Sequence, residues 1–118
     1  SRGSVPATTL GMLQKGITSV TAASKTTYTA VASDQIVVDT AANPVTISLP
    51  ASPAVSDEVT IMDGSATGGF ATNNCIIDRN GSNIEGAASN DTLATNNQCV
   101  TLIYANATKG WLYKSTNQ

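Results

Sequence analysis

The chain has no histidine, which removes the commonest general base and metal ligand from all 118 residues. A Ser-His-Asp or Cys-His nucleophile system therefore cannot be assembled within it. Charge is also scarce: six basic and eight acidic residues leave a net of −2, with no run of either sign. Nucleic-acid binding needs a basic stripe to neutralise phosphates, and none is present. No segment approaches the ~18 apolar residues of a membrane span, and no basic amphipathic stretch suggests a membrane surface. Large side chains are few: one Trp, one Phe, three Tyr and two Met. The apolar fraction is mostly Ala and Val, so the expected core is thin, at about 1.5–3 kcal/mol per buried Ile, Leu or Val. A thin core suits a chain that is completed by copies of itself.

Two cysteines, Cys75 and Cys99, match no zinc or redox spacing. Both fall in expected strands, so a bridge between neighbouring strands is one reading. Two free thiols acting as small buried hydrophobes is the favoured one. The remaining catalytic option is a carboxylate pair. Asp57 and Glu58 are adjacent in an expected strand and point to opposite faces, while Asp63 and Asp78 sit at strand ends, where Asp commonly caps turns. No loop gathers the oxygen ligands of a calcium site. The expectation is a chain that is not an enzyme and has no cofactor and no metal.

What the chain does have is β structure in quick succession. Residues 17–21 and 26–31 are rich in β-branched residues, and Ser33-Asp34 turns the chain into 35–39. Residues 45–49 alternate cleanly, with Val45, Ile47 and Leu49 on one face, and Pro50 and Pro53 end the ladder. Further strands are expected over 57–62, 75–78, 91–95, 98–104 and 111–113. The Gly/Ala/Thr/Asn segment 63–74 reads as a flexible connection. Asn80-Gly81 between apolar runs marks a type I′ hairpin turn, since both central positions need φ > 0. About nine short strands indicate one all-β domain over 17–118, a compact antiparallel β-sandwich or β-barrel, with a meander as the default order.

Residues 1–16 share none of this regularity and read as an extended N-terminal arm. Leu10, Met12 and Leu13 would be costly to leave in water on a loose tail, so the arm is either a disordered terminus or a segment that attaches to, or exchanges with, a partner. Ser1 fits a processed small protein or a piece of a longer one. Trp111 and Tyr113 share one face of the last strand. A sugar-binding platform is one use for them, and closing a core or a subunit interface is the commoner one. Leu10, Met12, Leu13, Trp111 and Tyr113 are thus the candidate interface residues.

Taken together, residues 28–31, 34–40, 45–50, 57–61, Arg79-Asn80-Gly81-Ser82-Asn83-Ile84, 100–104 and Gly110-Trp111 resemble a small β-domain of tailed-bacteriophage virion proteins. Such domains occur in tail fibres, head fibres and capsid decoration proteins. The resemblance spans about residues 28–113 and implies a virion location, a homotrimer, other virion proteins as partners and no catalysis. It does not determine where on the particle the domain sits. The small size, the neutral Thr/Asn-rich surface and the arm with its apolar anchors favour a capsid decoration (cement) or head-fibre protein, with a tail-fibre or receptor-binding module that contacts the host surface, a glycan included, as the alternative. The arm lies outside the resemblance.

Overall fold

The computed structural model describes residues 16–117. Its strands are β1 (Ile17–Thr21), β2 (Thr27–Thr29), β3 (Gln35–Asp39), β4 (Val45–Ser48), β5 (Glu58–Asp63), β6 (Cys75–Asp78), β7 (Asp91–Leu93), β8 (Cys99–Asn106) and β9 (Gly110–Thr116). The described residues contain no helix and are all-β. Each stretch of β-branched, alternating sequence became a strand, and alternation fixed which side chains are buried. In β3 that pattern buries Ile36 and Val38, in β4 Val45 and Ile47, and in β5 Val59 and Ile61.

The strands form two sheets. One has the order β1-β3-β5-β8-β9 and the other β2-β4-β6-β7. Through β6 the chain alternates between them, and within each sheet these strands run parallel: Ile17 pairs with Gln35 and Gln35 with Thr60, while Tyr28 pairs with Ile47 and Ile47 with Ile77. The first six strands are therefore wound as a flattened coil, each turn laying one strand on each sheet. Only β5–β8, β8–β9 and β6–β7 are antiparallel.

This corrects the expected antiparallel meander, and the sheets do not close into a barrel. The physical reason lies in the connections. Segments 22–26, 30–34 and 40–44 have the length and turn residues of hairpin loops, but they carry the chain across to the facing sheet instead of back along the same one. The strand order shows the crossing, because consecutive strands from β1 to β6 belong to opposite sheets. The bonds from Ala22 N–H to Asp39 O (2.9 Å) and Ala30 N–H to Ser48 O (2.7 Å) extend the β1–β3 and β2–β4 ladders to the point where the chain leaves. A period-2 pattern dictates faces and is silent on partners. The core sits between the sheets and includes Ile36, Ile61 and Leu102 from the five-stranded sheet and Val45, Ile47 and Ile77 from the other, with Phe70 and Trp111 closing it.

The turn at Asn80 and Gly81 is present but closes no hairpin of its own. Their φ values are 50° and 96°, and Ser82 N–H donates to Arg79 O at 3.2 Å, as a type I′ turn requires. The returning limb does not pair with β6, whose antiparallel partner is β7. It runs instead along β9: Trp111 N–H donates to Asn83 O (2.8 Å), Glu85 N–H to Trp111 O (2.8 Å) and Gly86 N–H to Lys109 O (2.9 Å). A segment leaving one sheet thus covers the outer edge of the other and ties the two together.

Candidate functional surfaces

The outward faces of the two sheets differ in chemistry. On the four-stranded sheet the outward positions are Thr27, Thr29, Thr46, Ser48, Ile76, Asp78 and Thr92, nearly all polar, with Ser48 donating to Asp78 Oδ2 at 2.9 Å. On the five-stranded sheet Val37, Met62, Ile103 and Leu112 are outward and only half-buried. The register places Val37 beside Met62, Met62 beside Cys99, and Ile103 beside Leu112. Between these pairs the hydroxyls of Thr60 and Thr101 bond at 2.9 Å. An ion pair from Lys114 to Glu58 (2.8 Å) crosses the face, but its side chains are 55% and 37% exposed and it contributes little to stability. The exposed Ile17, Val31 and Val55 lie at the end of this sheet where its parallel strands begin.

Trp111 is 0% exposed, with its ring edge-on to Tyr104 at 5.6 Å and 67°. It is spent inside its own chain, so it offers no face to a subunit interface or to a sugar platform. Tyr113 is half-buried and anchored twice: its N–H donates to Glu85 Oε2 at 2.8 Å and its hydroxyl to Asp91 Oδ2. Burial pushes its phenol well above the ordinary value, and the Asp91 and Glu85 carboxylates reinforce the shift, so the hydroxyl stays a neutral donor. The structure keeps these two aromatics on one face but gives them different surroundings. Leu10, Met12 and Leu13, and the arm up to residue 15, lie outside the described residues.

The carboxylates organise turns. Asp39 accepts from Ala41 N–H, Asp57 from Ala54 N–H and Asp78 from Asn80 N–H, at 2.8, 2.8 and 3.0 Å. Asp63 does more. Its Oδ1 accepts from Ser65 N–H, and its Oδ2 from both Phe70 N–H and Asn97 N–H, each at 3.0 Å. Asn96 Oδ1 receives Ala71 N–H (2.9 Å), and Asn73 Nδ2 reaches across to Thr40 O (2.9 Å). Segment 63–74 is therefore pinned to two neighbouring turns and seats Phe70, fully buried, in the core. This corrects its reading as a flexible connection. The one signal available in the sequence was a lone Phe in an otherwise small and polar stretch. Among the described residues no three Cys, Asp or Glu are gathered as metal ligands would be.

Cys75 and Cys99 are both free. They stand on different sheets, Cys75 facing the core and Cys99 the outer face, so the bridge between neighbouring strands is ruled out by topology. Burial raises the Cys75 thiol to about 12, with Asp63 adding to the shift. In a Cys99→Ser variant, a thiol reagent at pH 8 is expected to leave Cys75 untouched until denaturant is added, at least about 100-fold slower than a free thiol. Rapid labelling of the folded variant would show that Cys75 is not sealed between the sheets. No protein-family model matches the chain, and no curated protein matches it.

Proposed function

We propose that this protein is a structural component of a tailed-bacteriophage particle, a homotrimeric capsid decoration or head-fibre protein without catalytic activity. The observation that carries this reading is the contrast between the two outward sheet faces. A sheet with one face on the core ordinarily turns polar residues to solvent on the other, as the four-stranded sheet does with Thr and Ser, yet the five-stranded sheet presents Val37, Met62, Ile103 and Leu112 outward. A face of this kind is what a self-associating module would bury between its copies. The polar sheet would then face solvent, in keeping with the low charge of the chain.

In this reading three copies cover the apolar faces, and residues 1–16 carry Leu10, Met12 and Leu13 onto the capsid. The chain enters the domain at Ile17, which is exposed at the same end of the sheet as the exposed Val31 and Val55, so the arm would begin where apolar surface is already available. Binding the assembled shell, and not its free subunits, would stabilise the assembled state by mass action. Deletion of residues 1–16 is expected to leave a folded β-domain that no longer sediments with phage heads, whereas the full chain does. Equal co-sedimentation of the truncated and full chains would overturn the arm's role. A tail-fibre or receptor-binding module is the second reading, favoured by the open polar cleft at the β7–β9 end of the molecule.

A further inference from the structure

The two sheets end unequally. The five-stranded sheet runs on to β9, whereas the four-stranded sheet stops at β7, and the inward side of β9 beyond Trp111 meets β7 through the Tyr113 hydroxyl and Asp91 at one side of a gap. The step is an open cleft of about 630 Å³, inside the range of small-molecule sites. Buried Leu93 and Val100 supply its apolar lining. Glu85, Asp91, Thr95, Gln98, Tyr113 and Thr116 supply the polar part, and no Lys or Arg lines it.

The polar groups are held in place before any ligand arrives. Asp91 is fixed through both oxygens, Oδ1 accepting Thr92 N–H (2.8 Å) and Oδ2 the Tyr113 hydroxyl. Glu85 is fixed through Oε2 by Tyr113 N–H (2.8 Å), and its backbone sits in the left-handed region at φ 52°, a conformation a non-glycine residue holds only when its surroundings enforce it. Gln98 is only 4% exposed. Its Oε1 accepts Thr95 N–H at 3.3 Å, which fixes the orientation of the amide and leaves Nε2 without an acceptor among the described residues. Nε2 is not sealed from solvent, so an acceptor on a ligand in the cleft that Gln98 lines can take the place of its water.

We propose that the β7–β9 cleft is a binding site for a neutral saccharide. A sugar ring matches it part by part: hydroxyls that donate to Glu85 and Thr116, a ring or hydroxyl oxygen that accepts from Gln98 Nε2, and a C–H face for Tyr113 and Leu93. The two carboxylates and the lack of any cation reject phosphorylated and acidic sugars. This site is on a different surface from the apolar outer face, and it stands or falls independently of the trimer.

The test is a 15N amide titration of the full chain with glucose, galactose and N-acetylglucosamine, each to about 50 mM, where millimolar affinity saturates. N-acetylneuraminic acid and glucose 6-phosphate serve as anionic controls. At least one neutral sugar is expected to shift Leu93, Gln98 and Tyr113 saturably, and the anionic sugars are not. Gln98→Leu is expected to weaken binding about tenfold or more. Because Gln98 is buried, Thr116→Trp is the second variant: it fills the mouth from an exposed position and is expected to abolish the shifts with the remaining spectrum intact. Absence of saturable shifts with all three neutral sugars, equal shifts with the anionic ones, or shifts that survive Thr116→Trp would each overturn the assignment.

Discussion

Replacing Gly110 by alanine is expected to remove most of the stability of the domain. Gly110 has φ 70°, and a Cβ there would stand 1.9 Å from the carbonyl oxygen of Asn83 and 2.5 Å from its carbonyl carbon. Those atoms are backbone and cannot swing aside as a side-chain tip would. The crossing is also where the two sheets are tied, since Asn83 O accepts the N–H of Trp111 (2.8 Å). To admit the methyl group, segment 83–86 must lift from β9. That breaks its three main-chain hydrogen bonds and opens the cover over the Trp111 end of the core. Lost hydrogen bonds, left-handed strain and partial exposure of a large aromatic together amount to about 4 kcal/mol or more. A small domain has only about 5–15 kcal/mol to lose.

Trp111 is the sole tryptophan, so its fluorescence in a urea titration reports the change directly. The control is Gly81→Ala. Gly81 also has positive φ, at 96°, but a Cβ there meets nothing within 4 Å, so only the backbone strain of about 1 kcal/mol is expected. Equal midpoints for the two variants would contradict the crossing geometry.

Asp63→Asn is the second large effect, and it carries a pH signature. Burial alone would raise the carboxyl of Asp63, but the Ser65 hydroxyl and the N–H groups of Ser65, Asn97 and Phe70 outweigh it and hold the group below its ordinary value of 3.8. A folded-state pKa below the unfolded one means stabilisation that is complete above the unfolded value and is lost as pH falls through the folded one. Wild-type stability should therefore hold from neutral pH down to about pH 4 as far as this group is concerned, then decline. The asparagine amide turns one acceptor oxygen into a donor that faces the N–H groups of Phe70 and Asn97. A loss of about 1–3 kcal/mol is expected at pH 7, because charge-assisted bonds at this partly exposed position are replaced by an amide whose N–H₂ meets other donors. Urea midpoints at pH 7 and pH 3 make the comparison: the gap between wild type and variant should narrow at low pH. A gap that is constant or widens on acidification would show that Asp63 is not the hub of segment 63–74.

How much of this was legible in the sequence differs by level. Strand positions were legible because alternation and turn residues are local, and β1, β3 and β4 fall where the pattern placed them. Pairing was not, because a crossing to the facing sheet and a hairpin use the same short turns. A fainter signal distinguishes the sheets. In β3, β5, β8 and β9 an apolar residue stands beside a buried one, as in Val37-Val38, Ile61-Met62, Leu102-Ile103 and Trp111-Leu112, whereas β2 and β4 alternate strictly. Such doublets supply the apolar outer face. They are imperfect markers, since Ile76-Ile77 belongs to the polar sheet. The burial of Phe70 depended on Asp63 gathering the N–H groups of Phe70 and Asn97, 7 and 34 residues along the chain, which no local pattern encodes. The cleft was equally out of reach, because it exists only through the unequal ends of the two sheets.

The central claim is that the five-stranded sheet's outward face is buried between copies of the chain. Sedimentation equilibrium on the full chain beside the double variant Met62→Lys with Ile103→Lys tests it most directly, because both positions point outward and neither contributes to the internal core. The expected result is three times the chain mass for the wild type and a folded monomer for the variant, with unchanged far-ultraviolet circular dichroism. A wild type that remains monomeric at about 100 µM, a concentration at which even micromolar association would be nearly complete, would contradict it.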